Sequence, residues 1–259
     1  MTGNFFVELG TGAVPWYVIV IAAVCAYFLG NVNPAILIGK ARGVDIRAQG
    51  SGNAGATNAL RSLGSKAGAA TFAIDVVKGW AGFYVPYAYF YHIAFLREST
   101  TSGLVSSLAM EAQIDILGIA ALPPALLCGL CVVLGHMYPA VFGFRGGKGV
   151  STTFGTLLGV SWGYALILLA VVAVFTAIFR RVSLSVMIAV ALALVLVFWG
   201  WAQADNFIYF VGFMRFNAFM PLWMTILLAL IVWKHRANIG RLIKGEEPKL
   251  SFGSGKRDK

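Results

Sequence analysis

Three polar, glycine-rich segments interrupt an otherwise apolar chain, and their residue types suit the binding of phosphate. The first covers residues 50–58 and is followed by Arg61, the second covers 135–150, and the third covers 235–245. Glycine lets backbone N–H groups approach a ligand closely, and successive N–H groups form concave anion sites. Arginine and lysine supply the positive charge that phosphate requires. This pattern predicts a protein that handles a phosphorylated substrate at a bilayer surface.

The remainder of the chain has the composition of a membrane protein. Of its 259 residues 59% are hydrophobic and only 12% are charged, whereas soluble domains carry about 25% charged residues. A membrane helix needs roughly 20 apolar residues, and no linker or internal repeat divides the chain. We therefore expect one all-α integral membrane domain over residues 1–259. Its apolar segments are 14–31, 67–95, 114–134, 151–160, 162–179, 183–202 and 207–233.

The distribution of charge predicts how the chain crosses the bilayer. The net charge is +10, and basic residues concentrate in 32–66, in 135–150 and after residue 234, which predicts that these regions are cytoplasmic. The N-terminus and residues 96–113 would then lie outside. An even number of crossings must separate 150 from 234, which gives about seven membrane helices, some short or broken. Five crossings with re-entrant pieces remain an alternative. On either count the polar loops, about 31–66, 135–151 and 234–245, share the cytoplasmic side and would form one active site.

Several familiar chemistries do not fit the polar segments. A nucleotide-binding Walker loop needs glycine where this chain has Phe142 and a hydroxyl residue where it has Gly149. No cluster of histidine, cysteine and carboxylate residues predicts a metal, and no motif predicts nucleic-acid binding or a cofactor. The pair Cys128 and Cys131 lies in an apolar segment and is expected in the core. The turn at 146–149 is then either an anion site at a helix N-terminus or a plain cytoplasmic turn.

Spacing brings further polar residues together. The first segment supplies more polar side chains than the close packing of helices requires: Ser51, Asn53, Thr57 and Asn58. His235 and Asn238 are three residues apart, so a continuing helix would place them on one face. Asp75 and Lys78 have the same spacing within an apolar segment, and they form either an intrahelical pair or part of the site.

Taken together and in order, these motifs resemble the bacterial acyl-phosphate:glycerol-3-phosphate acyltransferases called the PlsY family. The resemblance spans nearly the whole chain. Two features depart from the family pattern, namely Ala237 where the family usually has an acidic residue and a longer stretch over 96–122. The matching motifs lie at Gly30–Lys40, Asp45–Arg47, Gly50–Gly64, Asp75–Gly79, Gly135–Pro139, Gly146–Val150 and His235–Gly245.

The resemblance implies transfer of a fatty acyl group from acyl phosphate to the 1-hydroxyl of glycerol 3-phosphate. The product would be lysophosphatidic acid, in the first step of phospholipid synthesis, without metal or cofactor. It implies that Lys148 and its turn (Gly146, Gly147, Gly149) hold one phosphate and that Arg61 holds another. Ser51 and Asn53 would orient a phosphate or the oxyanion, and His235 and Asn238 would position the glycerol hydroxyls. The remaining residues expected to bind substrate are Thr57, Asn58, Lys40 and His136.

The resemblance leaves the proton acceptor open between His235 and the acyl phosphate itself. A Ser51 acyl-enzyme is disfavoured because no base is adjacent in the sequence. The expected setting is the bacterial inner membrane, with the N-terminus outside and the C-terminus and active site cytoplasmic. The expected partners are the two substrates, membrane lipids and the enzyme that forms acyl phosphate, with no nucleic acid, and the expected state is a monomer. A transporter for an anionic metabolite is the alternative from another class.

Overall fold

The computed structural model describes residues 14–101, 107–202 and 219–250, and for 94–101, 107–120 and 201–202 it gives the backbone alone. Within these ranges the regular structure is helical, as predicted, and short 3₁₀ turns lie at Ile46–Ala48 and Ala140–Phe142. The α-helices, in chain order, are α1 (Trp16–Asn31), α2 (Pro34–Ala41), α3 (Ala56–Leu63), α4 (Ser65–Thr101), α5 (Ser107–Met137), α6 (Val150–Val160), α7 (Trp162–Phe179), α8 (Val182–Ala202), α9 (Phe219–Lys234) and α10 (Arg236–Ile243).

Four stretches of the described chain are long and apolar enough to cross a membrane. Two shorter apolar helices, α6 and α9, accompany them. The predicted count of about seven crossings stays a prediction, and residues 207–218 of the last predicted segment lie outside the described residues. The four stretches are Trp16–Ala41, Ala121–Phe142, Trp162–Phe179 and Val182–Gly200.

One predicted loop is wrong in its bounds. We expected an external loop over 96–113, but α4 continues to Thr101 and α5 begins at Ser107. The stretch after Ser107 contains good helix formers, including Leu108, Ala109 and Met110. Their propensity favours helix even where polar residues interrupt the apolar run.

Glycines allow the central helices to approach one another closely. A Cβ on Gly155 of α6 would lie 2.0 Å from the carbonyl oxygen of Val76 in α4, and one on Gly79 of α4 would lie 2.0 Å from that of Thr152 in α6. Within a bilayer, where the hydrophobic effect does not drive helix association, such close backbone packing is a main source of attraction. The α4–α6 pair thus forms a tightly packed support beneath the second polar segment.

Side chains divide between a packed core and an outer apolar surface. Phe83, Phe90 and Leu227 are fully buried between helices. Trp16 of α1 and Val195 of α8 are exposed by 73% and 64%, as expected for side chains that face lipid. Some polar atoms in the core are paired across helices: the Trp223 indole N–H donates to the Leu126 carbonyl at 2.7 Å. The interior is therefore held by packing and by interhelical hydrogen bonds.

Candidate active site

The three polar segments meet in one cavity of about 540 Å³. The first segment enters through α3 and the loop before it, the second through the start of α6, and the third through the junction of α9 and α10. The N-terminal end of α8 and the chain after α10 complete the walls. The polar and charged side chains that line the cavity are Ser51, Asn53, Thr57, Asn58, Arg61, Asp75, His136, Lys148, Ser151, Ser183, His235, Asn238, Arg241 and Glu247.

Lys148 lies at the N-terminus of α6 and provides positive charge inside the cavity. Gly149, the residue before the helix, has a φ of +83°, a conformation that glycine adopts without strain. The N–H groups of residues 150–152 have no intrahelical acceptor, and no other described backbone hydrogen bond uses them. Burial lowers the pKa of Lys148 to about 8. The nearby Glu247 carboxylate acts in the opposite direction, whereas the positive charges of Arg241 and Arg61 also lower this pKa. This end of α6 has the charge and the donors that a phosphate needs.

His235 separates α9 from α10 and is held as a neutral imidazole. Its Nδ1 lies 2.8 Å from the carbonyl oxygen of Ile231, so Nδ1 carries the proton and donates it. Burial lowers the pKa of His235 to about 4, and the neighbouring Lys148 charge also lowers it. The other ring nitrogen, Nε2, is therefore unprotonated at neutral pH and is able to accept a proton.

Asn238 connects Lys148 to a buried carboxylate. Its Oδ1 accepts a hydrogen bond from Lys148 Nζ, and its Nδ2 donates to Glu247 Oε1 at 2.6 Å. Glu247 thereby fixes which way the amide points, with oxygen toward the lysine. His235 and Asn238 both line the cavity. The predicted continuing helix is wrong, because α9 ends at Lys234 and α10 begins at Arg236.

Glu247 and Ser183 are site residues that the sequence reasoning missed. Glu247 accepts from Ser183 Oγ at 2.6 Å and from Arg241 Nε at 2.8 Å, in addition to Asn238. Burial raises the pKa of its carboxyl, but these donors outweigh burial and hold the pKa below its ordinary value. The available signal was weak: an acidic pair at 246–247 in an otherwise basic tail.

Asn58 stabilises the conformation of the first polar segment, and both ends of its side-chain amide are already hydrogen-bonded within the protein. Its Oδ1 accepts from the Ser51 N–H at 2.9 Å, and its Nδ2 donates to the carbonyl oxygens of Ile46 and Gln49. Arg61 follows on α3 and donates to the Pro248 carbonyl at 3.3 Å. This contact joins the first polar segment to the chain beyond α10.

A buried ionic cluster forms part of the cavity floor. Asp75 Oδ1 of α4 lies 2.7 Å from Lys78 Nζ and 3.2 Å from His136 Nδ1 of α5. Lys78 also donates to the carbonyl oxygens of Gly30 and Val32 at the end of α1, at 3.3 and 2.6 Å. Asp75 and Lys78 are thus an intrahelical pair, and Asp75 and His136 are also part of the cavity lining.

Three of the predicted binding residues lie outside the cavity lining. Lys40 lies 5.3 Å from the centre of the Phe142 ring. The N–H groups of Gly146 and Gly147 donate to the carbonyl oxygens of Met137 and His136, at 3.3 and 3.1 Å. These two N–H groups already have partners, so the donors of the turn that remain for an anion begin at Lys148.

An apolar groove adjoins the cavity between α4, α6, α7, α8 and α9. It shares Phe72, Val150, Val172 and Val186 with the cavity, and its lining is almost entirely apolar. A polar cavity that opens directly into such a groove suits an amphiphile with a phosphate-bearing head and a hydrocarbon tail.

Fold and site together define a class of protein, a polytopic helical membrane protein with a polar, charged cavity that adjoins an apolar groove. Comparison with known proteins agrees. The family model described as glycerol-3-phosphate acyltransferase matches residues 20–245. A glycerol-3-phosphate acyltransferase of Clostridioides difficile strain 630 is 38% identical over 232 residues, covering 89% of this chain and 95% of the relative. One from Bacillus subtilis strain 168 is 31% identical over 235 residues, covering 90% and 98%.

Solved structures give the same result. The crystal structure of PlsY, an integral membrane glycerol 3-phosphate acyltransferase, in its glycerol 3-phosphate form, superposes with a TM-score of 0.66 at 32% identity. The match covers 90% of this chain and 96% of that chain. The lysophosphatidic acid form superposes with a TM-score of 0.63 at 31% identity. This chain belongs to the PlsY family of glycerol-3-phosphate acyltransferases, and the predicted family and integral membrane class are confirmed.

Proposed function

We propose that this protein transfers a fatty acyl group from acyl phosphate to the sn-1 hydroxyl of glycerol 3-phosphate. The products are 1-acyl-glycerol 3-phosphate, which is lysophosphatidic acid, and inorganic phosphate. The observation that carries the proposal is the position of Lys148 and the N-terminus of α6, where the polar cavity meets the apolar groove. Family membership supports the acceptor and the acyl transfer, and the donor rests on the chemistry of the cavity.

Acyl phosphate suits this cavity because it is already activated. It is a mixed anhydride, so acyl transfer from it needs neither ATP nor a metal ion. Its phosphate would lie at Lys148 and the free N–H groups of α6, and its tail would extend past Phe72 and Val150 into the groove. Glycerol 3-phosphate brings the second phosphate, for which Arg61 is the proposed partner. Basic side chains would attract both anions and raise their local concentration.

The other polar residues are proposed to align the reacting groups. His235 and Asn238 position the glycerol hydroxyls, while Ser51 and Asn53 orient a phosphate or the developing oxyanion. The hydroxyl oxygen attacks the acyl carbonyl carbon, the bond from that carbon to the phosphate oxygen breaks, and the phosphate departs.

The proton of the hydroxyl has two possible acceptors. His235 Nε2 is unprotonated, but burial lowers the pKa of this imidazole to about 4, which makes it a weak base. The phosphate of the donor is the other acceptor, and it leaves with the proton. A His235→Ala variant that keeps one-tenth or more of wild-type activity would exclude an essential histidine base.

A covalent route through Ser51 is the remaining alternative. It requires the acyl group to be transferred first to the serine hydroxyl and then to glycerol 3-phosphate. Incubation with labelled acyl phosphate, without acceptor, followed by denaturation and peptide mapping, tests it. Label on Ser51 would establish this route, and unlabelled protein would exclude it.

The protein is proposed to act as a single domain and a monomer in the bacterial inner membrane, with the N-terminus outside and the C-terminus and active site in the cytoplasm. The clustering of basic residues around the cavity supports this orientation. A functional link to the enzyme that forms acyl phosphate follows from the donor. Labelling of single cysteines with a membrane-impermeant reagent tests the orientation.

The deciding experiment is acyl transfer by purified protein in detergent. Labelled glycerol 3-phosphate is supplied with palmitoyl phosphate, without metal or ATP, beside a palmitoyl-CoA reaction and a Lys148→Ala variant. Lysophosphatidic acid formed only from acyl phosphate, and lost in the variant, is the expected result. Product from acyl-CoA alone would overturn the donor. Uptake of unchanged glycerol 3-phosphate into proteoliposomes, with no product from either donor, would overturn the enzyme in favour of a transporter.

A further inference from the structure

A second cavity lies beside the candidate active site and shares none of its lining residues. Its volume is about 430 Å³. The same polar segments contribute to both cavities, since Gly52 lines the second and Ser51 the first, and Lys234 lines the second and His235 the first. The second cavity, called here the basic cavity, therefore contacts the catalytic loops from another side.

Four cationic side chains line the basic cavity, and they come from distant parts of the chain: Arg47, Arg145, Lys234 and Arg236. Asp45 pairs with Arg47 at 3.1 Å, and it is the single carboxylate that pairs with this set among the described residues. Arg145 is exposed and has no hydrogen bond or ion pair within the described part of the chain. The basic cavity thus keeps an excess of positive charge. Isolated basic residues at helix ends serve as topology anchors, but their convergence on one concave site exceeds that role.

Aromatic rings hold two of these cations in place. Lys234 Nζ lies 4.3 Å from the centre of the Tyr138 ring and donates to the Met137 carbonyl at 2.9 Å. The Arg236 guanidinium lies 4.9 Å from the centre of the Trp233 ring. Because these side chains are already ordered, binding of an anion costs less conformational entropy. Tryptophan and tyrosine beside basic residues are also typical of the headgroup level of a bilayer.

An apolar groove of about 480 Å³ continues from the basic cavity between α8 and α9. Trp233 and Arg236 line both. The groove shares Val190 and Leu228 with the groove at the active site, but it reaches neither Phe72 nor Val150. The basic cavity and its groove therefore meet at Trp233 and Arg236.

We propose that the basic cavity and this groove bind an anionic glycerophospholipid of the surrounding bilayer. Its phosphate lies among Arg47, Arg145 and Arg236, and one of its acyl chains lies in the groove. A free phosphate would use the cations alone, so the adjoining groove favours the lipid. The bound lipid would contact the loops at Gly52 and Gly146, which lead into Ser51 and Lys148. The inference concerns binding and does not depend on the proposed donor or acceptor.

Native mass spectrometry of the full chain in detergent tests the proposal. Phosphatidylglycerol and phosphatidylcholine with identical acyl chains are added in equal amounts, so that only the headgroup differs. We expect phosphatidylglycerol adducts to dominate, and each arginine removed should weaken their retention about fivefold. Arg145→Gln combined with Arg236→Gln should therefore abolish the preference. Lys66→Gln, which removes one exposed charge outside the cavity, should leave it unchanged.

Two further arms separate a lipid from a free anion. Ala229→Phe fills the exposed groove without changing any charge, and it should weaken phosphatidylglycerol retention. Inorganic phosphate in large excess should not displace the lipid. Equal binding of the two lipids by wild type, or displacement by phosphate with an unaffected Ala229→Phe variant, would overturn the proposal. If the double variant does not fold, Arg145→Gln alone and Ala229→Phe give the same decision, because both replace exposed side chains.

Discussion

The buried cluster on α4 and α5 and the cluster around Lys148 contain similar polar residue types but differ in what surrounds them. In the first, the Lys78 ammonium lies within hydrogen-bond distance of Asp75, His136 and two carbonyl oxygens, and each side chain is nearly inaccessible. In the second, Lys148 has Asn238 as its partner, and the helix N–H groups beside it are unused.

The difference indicates which cluster has charge and hydrogen-bond donors left for a ligand. A buried charge with a complete set of partners stabilises an arrangement of helices and has little left to offer a substrate. A partly buried lysine with one neutral partner keeps most of its charge uncompensated. The first cluster therefore positions the helices, the second is proposed to bind the phosphate, and substitutions should separate stability from activity.

The largest expected effect is on folding. Asp75→Asn leaves the Lys78 ammonium buried without its carboxylate, which should lower the free energy of unfolding by about 3–5 kcal/mol. The measurement is thermal unfolding of purified protein in detergent. The double variant Asp75→Asn with Lys78→Met removes the unpaired charge and should recover most of the loss. An unchanged melting temperature in Asp75→Asn would contradict the assignment of this cluster to helix positioning.

The next effect is on catalysis alone. Lys148→Ala removes the charge that faces the phosphate, and kcat/KM should fall by about 10²–10³-fold, as for the loss of one electrostatic contact in other enzymes. The melting temperature should change little, because desolvation of the buried Lys148 charge destabilises the folded protein and its removal costs little stability. Parallel loss of stability and activity would place Lys148 with the structural cluster instead.

A smaller effect on activity is expected at Glu247, which acts on Lys148 through Asn238. Glu247→Gln weakens the hydrogen bonds that orient Asn238, and kcat/KM should fall by roughly tenfold, within the range for a bond to a charged group. Glu246→Gln is the matched control, because this neighbour is exposed and its side chain has no described partner. Equal effects of the two substitutions would show that total charge, and not the orientation of Asn238, is responsible.

The smallest effect is a dependence on pH. Burial lowers the pKa of Lys148 to about 8, so its positive charge is present below pH 8 and is lost as the pH rises through that value. Glycerol 3-phosphate stays dianionic over this range, because its second pKa is about 6. At pH 8.5, kcat/KM should therefore be about fourfold below its plateau. A Lys148→Arg variant, which stays charged, serves as the control, and the same decline in that variant would assign the titration to another group.

Much of the helical framework was predictable because a bilayer forces each crossing segment to satisfy its own backbone hydrogen bonds. The predicted segment 162–179 has the bounds of α7, and 151–160 differs from α6 by one residue. Pro86, Pro123 and Pro124 lie inside helices, where sequence rules for soluble proteins would have placed breaks. Apolar run length is thus a better guide here than helix-breaking residues.

The lining of the candidate site was predictable where its residues belong to a recognised motif, as Lys148, His235 and Asn238 do. It was not predictable where the fold brings distant groups together. Glu247 reaches the cavity because the chain after α10 folds back over the α7–α8 turn, where Arg181 Nε donates to the Glu247 carbonyl at 3.1 Å. No local pattern encodes a contact of that kind. The same reason explains why Ser183, at the start of an apolar helix, was missed.

That folded-back segment also bears on the order in which the protein matures. Its contacts join residues 66 positions apart at Arg181 and 187 positions apart at Arg61. Closing such long loops costs more entropy than forming a helix from neighbouring residues. Apolar helices can enter the bilayer independently and pack afterwards, so the carboxylate that orients Asn238 would arrive after the helices have assembled. A newly inserted chain would then have its membrane architecture before it has activity, and the gain of activity would report the final step of folding.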